Sequence, residues 1–276
     1  MKVGLIQCTS SDDPAENLTR VQRLIRDAAD QGATFVLTPE VTNCLSTSRA
    51  HQKAVLTTQD NDVVLSGLRQ EAKTLGLWIL AGSLALKLEG DDKFANRSIL
   101  IDPSGVIRAS YDKINMFDVD VSATETYRES DGYKAGASAV LADGPDAKLG
   151  LTICYDLRFP GLYRDLAQAG ADILTVPAAF SHETGPVHWE PLLRARAIET
   201  GCYVLAPAQT GRHTAARGRE RQTHGHSLVV DPWGRILADG GTDEGVVMAE
   251  LDLSQVRDAR RRIPSLSKEN HYILPA

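Results

Sequence analysis

The chain has 276 residues, 42% hydrophobic and 24% charged, which is ordinary globular material with enough apolar content for a sizeable core. A formal net charge of −6 gives no bulk attraction to nucleic acid or to anionic membranes, and no apolar run reaches the roughly 18 residues that spanning a bilayer requires. The N-terminal ten residues lack a signal-peptide core. Four cysteines (Cys8, Cys44, Cys154, Cys202) lack paired spacing, so the expected compartment is a reducing cytoplasm.

Val3–Gln7 predicts a first strand, and Asp13-Pro14 supplies the N-cap and first position of a helix running to about Gln31. Leu18, Val21, Leu24, Ile25 and Ala28 give it a one-sided apolar stripe, closed by Gly32. Phe35-Val36-Leu37 reads as a buried strand that delivers Thr38-Pro39-Glu40 at its end. A helix over about Asp62–Leu75 stops at Gly76. Strands follow at Trp78–Ala85, Phe94–Ile101 and Val106–Tyr111, the last two joined by the Asp102-Pro103-Ser104-Gly105 turn. Asn115–Gly136 is polar, irregular and long for a connection, and such loops are usually functional.

Strands near Ser138–Ala142 and Lys148–Ile153 lead to Cys154, and Gly161–Ala169 reads as a helix. Asp172–Val176 is a strand, about His188–Thr200 a helix, and Cys202–Ala206 another strand. Gln209–Gln222, rich in arginine and glycine, reads as a solvated loop. Strands at His226–Val230, Arg235–Ala238 and Val246–Glu250, a short helix at Leu253–Arg261 and an irregular tail complete the chain. The even mixture of strand–helix alternation and hairpins, with no linker, predicts one α/β domain over residues 1–276. No repeat of solenoid length is present, and the order is compatible with two similar βαβ-like halves.

Three groups that can do chemistry stand at predicted strand ends, where α/β folds build sites: Glu40, Lys113 and Cys154. Taken singly, each has a bland reading: a helix-capping carboxylate, an exposed turn lysine, a buried apolar thiol. Taken together they form a coherent set. A carboxylate accepts the thiol proton, sulfur attacks an electrophilic carbon, and an ammonium steadies the oxyanion. The turn after Ile153, near a helix N-terminus and Arg158, favours thiolate; Lys113 favours it too, against two carboxylates that oppose it.

Thr38-Pro39-Glu40, Tyr111-Asp112-Lys113 and Cys154-Tyr155-Asp156-Leu157-Arg158-Phe159-Pro160 resemble, in order and spacing, the three signatures of the nitrilase (carbon–nitrogen hydrolase) superfamily. The resemblance covers essentially the whole chain. It implies an α-β-β-α sandwich of four layers, two mixed sheets flanked by helices, commonly dimerised. It assigns catalytic roles to Glu40, Lys113 and Cys154, and to Glu129 in the long loop, which positions the lysine or the attacking amine and water. Residues 185–213 and Gly225-His226-Ser227 are similar to the branch acting on deaminated glutathione and on ω-amides of 2-oxo acids, nearer the former. Asn115 departs from the family, whose relatives carry histidine there.

What the resemblance implies is a cysteine-dependent amidase that converts a small carboxylate-bearing primary amide to acid and ammonia through a thioester, without metal or organic cofactor. The Tyr155 backbone N–H and Lys113 would hold the oxyanion. Arg158 would grip a substrate carboxylate, unless it pairs internally with Asp156 or another carboxylate. Phe180 would wall the pocket and Thr184 would hydrogen-bond the far end of the substrate; packing and helix capping are the alternatives. The other readings are a nitrile or N-carbamoyl amino acid hydrolase, and a catalytically silent scaffold. His213, His224 and His226 lack partners at zinc-ligand spacing, and no glycine fingerprint for a nucleotide is present. The expected partners are a small-molecule amide and a second copy of the chain, with no nucleic acid and no membrane.

Overall fold

The structure is a computed structural model that describes residues 1–121 and 126–268; part of the predicted long loop and the irregular tail lie outside the described residues. Sixteen strands and six α-helices are found among the described residues. The first half contains β1 (Lys2–Gln7), α1 (Pro14–Asp30), β2 (Phe35–Leu37), α2 (Arg49–Val55), α3 (Val63–Leu75), β3 (Trp78–Lys87), β4 (Phe94–Ile101), β5 (Ile107–Asp112), β6 (Asp118–Asp120) and β7 (Thr126–Arg128). The second contains β8 (Val140–Asp143), β9 (Lys148–Leu151), α4 (Pro160–Gln168), β10 (Ile173–Thr175), α5 (Gly185–Thr200), β11 (Tyr203–Ala206), β12 (Thr210–His213) and β13 (Arg221–His224). It ends with β14 (Leu228–Val230), β15 (Ile236–Asp239), β16 (Gly245–Glu250) and α6 (Ser254–Arg262).

Local chemistry explains the helix bounds. Asp13 accepts hydrogen bonds from the Ala15 and Glu16 N–H groups at the start of α1, and Asp62 accepts from Leu65 N–H at the start of α3. Gly76 and Gly201 end α3 and α5 in the left-handed region, at φ of 65° and 64°. Helix α2 has no counterpart among the predicted elements: it is seven residues long and buries only Gln52, too little apolar periodicity to announce itself.

Two six-stranded mixed sheets carry the fold, in the orders β16-β1-β2-β3-β4-β5 and β15-β14-β11-β10-β9-β8. Alternation along β1 and β2 sorts side chains to the two faces of the first sheet. Val3, Leu5, Phe35 and Leu37 face the second sheet, while Ile6 and Val36 pack against Val21, Leu24 and Ile25 of α1 and Leu65 and Leu68 of α3. The second sheet is covered on its far side by α4 and α5, giving the layers α-β-β-α. The sheets meet face to face through one buried cluster that runs from Val3 to Val256.

The halves repeat one another. Read from β16 and from β8, both sheets run antiparallel, parallel, parallel, antiparallel, antiparallel. Lys2-Val3-Gly4-Leu5 corresponds to Lys148-Leu149-Gly150-Leu151, and Gly76 to Ala81 corresponds to Gly201 to Ala206. Asp102 and Asp231 fold matching turns: each Oδ1 accepts two backbone N–H groups, Ser104 (2.8 Å) and Val106 (3.0 Å) in one, Trp233 and Arg235 (both 2.8 Å) in the other. By this correspondence Cys8 is the counterpart of Cys154, and Ala178 of Glu40.

Candidate active site

Glu40 and Lys113 leave the first sheet just beyond β2 and β5, and Cys154 leaves the second just beyond β9. Because the sheets face one another, the three side chains converge on a cavity of about 440 Å³, a volume suited to a small organic molecule. Its walls include all eight residues expected from the sequence: Glu40, Lys113, Glu129, Cys154, Tyr155, Arg158, Phe180 and Thr184.

Lys113 is 2% exposed and its ammonium sits between two carboxylates, 3.0 Å from Glu40 Oε1 and 2.8 Å from Glu129 Oε2. Burial alone pulls the ammonium down, but Glu129 and then Glu40 outweigh it and hold the lysine well above its ordinary value. Burial pushes the Glu40 carboxyl up; Lys113, Arg221 and the Ala179 N–H (2.8 Å to Oε2) outweigh that and keep it below the usual range. Glu129 is fixed further by the Phe117 N–H at 2.6 Å. Lys113 and Glu40 are therefore charged.

The thiol is different. Burial first, then the charge of Glu40, raise Cys154 far above its ordinary value, with Lys113 only partly offsetting them. Of the opposing influences on the sulfur, burial and the carboxylate charge therefore outweigh the lysine, and Cys154 rests as a protonated thiol beside the ionised Glu40 carboxylate that can take its proton. The chain turns sharply at both reactive positions. Cys154 has φ of 46°, and Val41, directly after Glu40, has φ of 47°, a costly conformation for a β-branched residue. The Cys154 N–H is committed to Pro177 O at 2.9 Å, whereas Tyr155, second residue of the 3-10 turn Cys154–Arg158, has an N–H needing no partner within the turn.

Asp156 joins two of the sequence motifs. It accepts from Tyr111 Oη (2.7 Å), from Asn115 N and Nδ2 (3.0 and 2.8 Å) and from Ile153 N (2.9 Å). Asn115 therefore ties the lysine segment to the cysteine turn rather than facing Lys113. These bonds also exclude the alternative Asp156–Arg158 pair: Arg158 donates instead to His188 Nδ1 (3.2 Å), with its guanidinium over the Phe180 and Tyr155 rings at 5.5 and 6.0 Å. Thr184 precedes α5 without making a side-chain cap bond, and Phe180 packs on Trp189 at 4.9 Å between ring centroids.

Two site residues do not stand out in the sequence. The Gln209–Gln222 segment is a hairpin of β12 and β13 rather than a solvated loop, and it carries Arg221 to the cavity wall, where the guanidinium donates to Ala179 O and stacks over Tyr127. Asn96, on β4, donates to both Glu40 and Glu129. Among the described residues, no group of three or more His, Cys, Asp or Glu is arranged to hold a metal ion, and no helix is long and apolar enough to cross a membrane.

Residues 2–261 match the carbon–nitrogen hydrolase family. The deaminated glutathione amidase of Yersinia enterocolitica is 39% identical over 274 residues, spanning 98% of this chain and 93% of that protein. Among solved structures, the C. elegans NitFhit protein superposes with a TM-score of 0.88 at 36% identity over 97% of this chain, which spans 64% of that longer chain. An amidase from Nesterenkonia sp. superposes with a TM-score of 0.78 at 27% identity, over 96% of this chain and 95% of that one. With near-full-length relatives that are amidases and a family match from Lys2 to Arg261, this protein belongs to the carbon–nitrogen hydrolase family, within the nitrilase superfamily, and is an amide-hydrolysing enzyme.

Proposed function

We propose that the enzyme hydrolyses a small carboxylate-bearing amide through a thioester on Cys154, with deaminated glutathione or a related ω-amide of a 2-oxo acid as substrate. The observation that carries this reading is the meeting of one thiol, one ammonium and two carboxylates in a single cavity. Glu40 takes the thiol proton as sulfur bonds to the amide carbon, and the oxyanion is held by Lys113 and the Tyr155 N–H. Glu40 returns the proton to nitrogen and the C–N bond breaks. Ammonia leaves from a primary amide, and an amine leaves from deaminated glutathione. Water then gives a proton to Glu40, adds to the thioester, and the C–S bond breaks to free the acid and the thiol. Glu129 holds Lys113 in place throughout.

The relatives' substrate supports the choice of amide, and the side chains support a carboxylate on it. Among the described residues the Arg158 guanidinium is held by rings and a histidine and pairs with no acid, so its fork is available to a carboxylate beside Phe180 and Thr184. Four free cysteines suit a reducing cytoplasm. A homodimer through α5 is supported by Val187 and Ile198, 64% and 56% exposed on the helix that closes the second sheet.

The test is product release from a panel of ω-amides, nitriles and N-carbamoyl amino acids, with acid-quenched intact-mass measurement. Expected are turnover of the carboxylate-bearing amides and an acyl adduct on Cys154 that Cys154→Ala lacks. Preferred turnover of nitriles or carbamoyl compounds would replace the substrate; no turnover at all would favour a silent binding protein.

A further inference from the structure

Asn96 is buried (1% exposed) and stands on β4 beside the segment that bears Lys113, whose N–H donates to Asn96 O at 3.0 Å. Both side chains therefore rise from neighbouring backbone at one level. The single nitrogen of the Asn96 amide uses its two hydrogens on two acids: Glu40 Oε1 at 2.9 Å and Glu129 Oε1 at 3.2 Å. Lys113 Nζ bonds the same two oxygens, each at 3.0 Å. The result is a closed square of two nitrogens and two carboxylate oxygens, one nitrogen charged and the other neutral.

The amide orientation follows from electrostatics. Turned over, it would set Oδ1 against two carboxylate oxygens. As it stands, Oδ1 is buried with no hydrogen-bond partner among the described residues, a cost the fold retains to keep the N–H groups facing the acids. The lone-pair count on Glu40 then becomes informative. Oε1 accepts from Asn96 and Lys113 and is full, whereas Oε2 accepts from the Ala179 N–H and keeps one acceptor site for the thiol.

We propose that Asn96 is a positioning residue for the amidase reaction: its amide clamps Glu40 and Glu129 onto one ammonium without adding charge, leaving Glu40 Oε2 as the oxygen that receives the thiol proton. A cation at this position would make Glu40 a poor proton acceptor, and a third carboxylate would outnumber the one lysine. The neutral donor satisfies both limits. The charged and titratable groups facing this square are Glu40, Glu129, Lys113, Cys154, Arg221 and Tyr133.

The inference rests on the thiol-amidase reading, so its test includes a readout that needs no substrate. Asn96→Ala and the near-isosteric Asn96→Asp are compared with the unaltered enzyme for kcat, KM and the pH dependence of Cys154 alkylation by iodoacetamide, with thermal unfolding as the check on folding. Asn96→Ala should lower kcat roughly ten- to a hundred-fold, part of what a general base supplies, with KM changed less than about two-fold. The alkylation profile should shift in both variants. In Asn96→Asp, activity relative to Asn96→Ala should recover toward acid pH, where the introduced carboxyl is protonated and again donates a hydrogen bond. If Asn96→Ala does not fold, the aspartate variant and its pH profile decide alone. Normal kcat in either folded variant, or loss of activity with an unshifted alkylation profile and no acid recovery, would overturn the proposal. A shifted alkylation profile in an enzyme that turns over no amide would keep Asn96 and discard the amidase reading.

Discussion

The two halves share a frame and differ at its ends. Gly4 and Gly150 occupy matching places in β1 and β9, and both leave room for a covering helix: a Cβ would lie 3.0 Å from Ala28 Cβ in one and 3.1 Å from Leu166 Cβ in the other. Beyond those strands, Cys154 opens on the cavity beside Glu40 and Lys113, whereas Cys8 is 2% exposed and touches Ser10 and Gln209, its thiol pushed up to about 12 by burial. Glu40 has Ala178 as its counterpart. Equivalent sheets thus present one equipped end and one sealed end. Chemistry here is a property of a few strand-end residues, while the repeated strands supply only placement.

The sharpest test of that contrast exchanges nothing but sulfur. Cys154→Ala should lower turnover by at least about 10⁴-fold with the fold intact, while Cys8→Ala should cost roughly 1 kcal/mol of stability and leave kcat unchanged. Equal kinetic effects would erase the distinction between the two ends. The sealed end also has its own pH response. His213 Nδ1 lies 2.8 Å from Ser10 O and Nε2 lies 2.7 Å from Thr223 Oγ1. Burial depresses its pKa from 6.5 to about 4, so the unfolded chain binds the proton first as pH falls. The stability it contributes is complete above 6.5 and is lost on the way down to about 4, roughly 3 kcal/mol in all; unfolding midpoints in His213→Gln should fall less over that window.

Gly4→Ala and Gly150→Ala probe the shared frame. Each should destabilise by about 1–3 kcal/mol through overpacking, and strongly unequal values in denaturant titrations would break the equivalence of the sheets. The smallest effect concerns the outer layers. Ile198→Glu on α5 should lower the apparent mass in size-exclusion chromatography, whereas Val63→Glu on α3, 50% exposed in the native chain, should not.

Much of this architecture is legible in the residues. Asp13-Pro14, Asp62 and Gly76 fix helix ends by backbone chemistry that acts locally, and the strands up to β5 follow from apolar runs. Glu40, Lys113 and Cys154 stand out because each lies just past a strand. Arg221 does not: its hairpin pairs mainly with itself, and β13 reads Arg-Gln-Thr-His, with no apolar alternation to separate it from solvated loop. Asn96 is hidden for another reason: it is one of three consecutive polar residues, Asn96-Arg97-Ser98, within β4, and no local pattern marks which of them faces the site. The protonation of Cys154 depends on how deeply the meeting sheets bury it, which no local pattern encodes.

The placement of the reactants on opposing sheets has a mechanical consequence. The base and the ammonium ride on one slab and the sulfur on the other, joined across the gap by the Tyr111–Asp156 and Asn115–Asp156 bonds and the Ala179–Glu40 contact. Neither slab by itself holds a complete set of reacting groups. Turnover therefore works as a gauge of how the slabs are seated, and a slip between them of about a single ångström would silence the enzyme while every strand stayed paired.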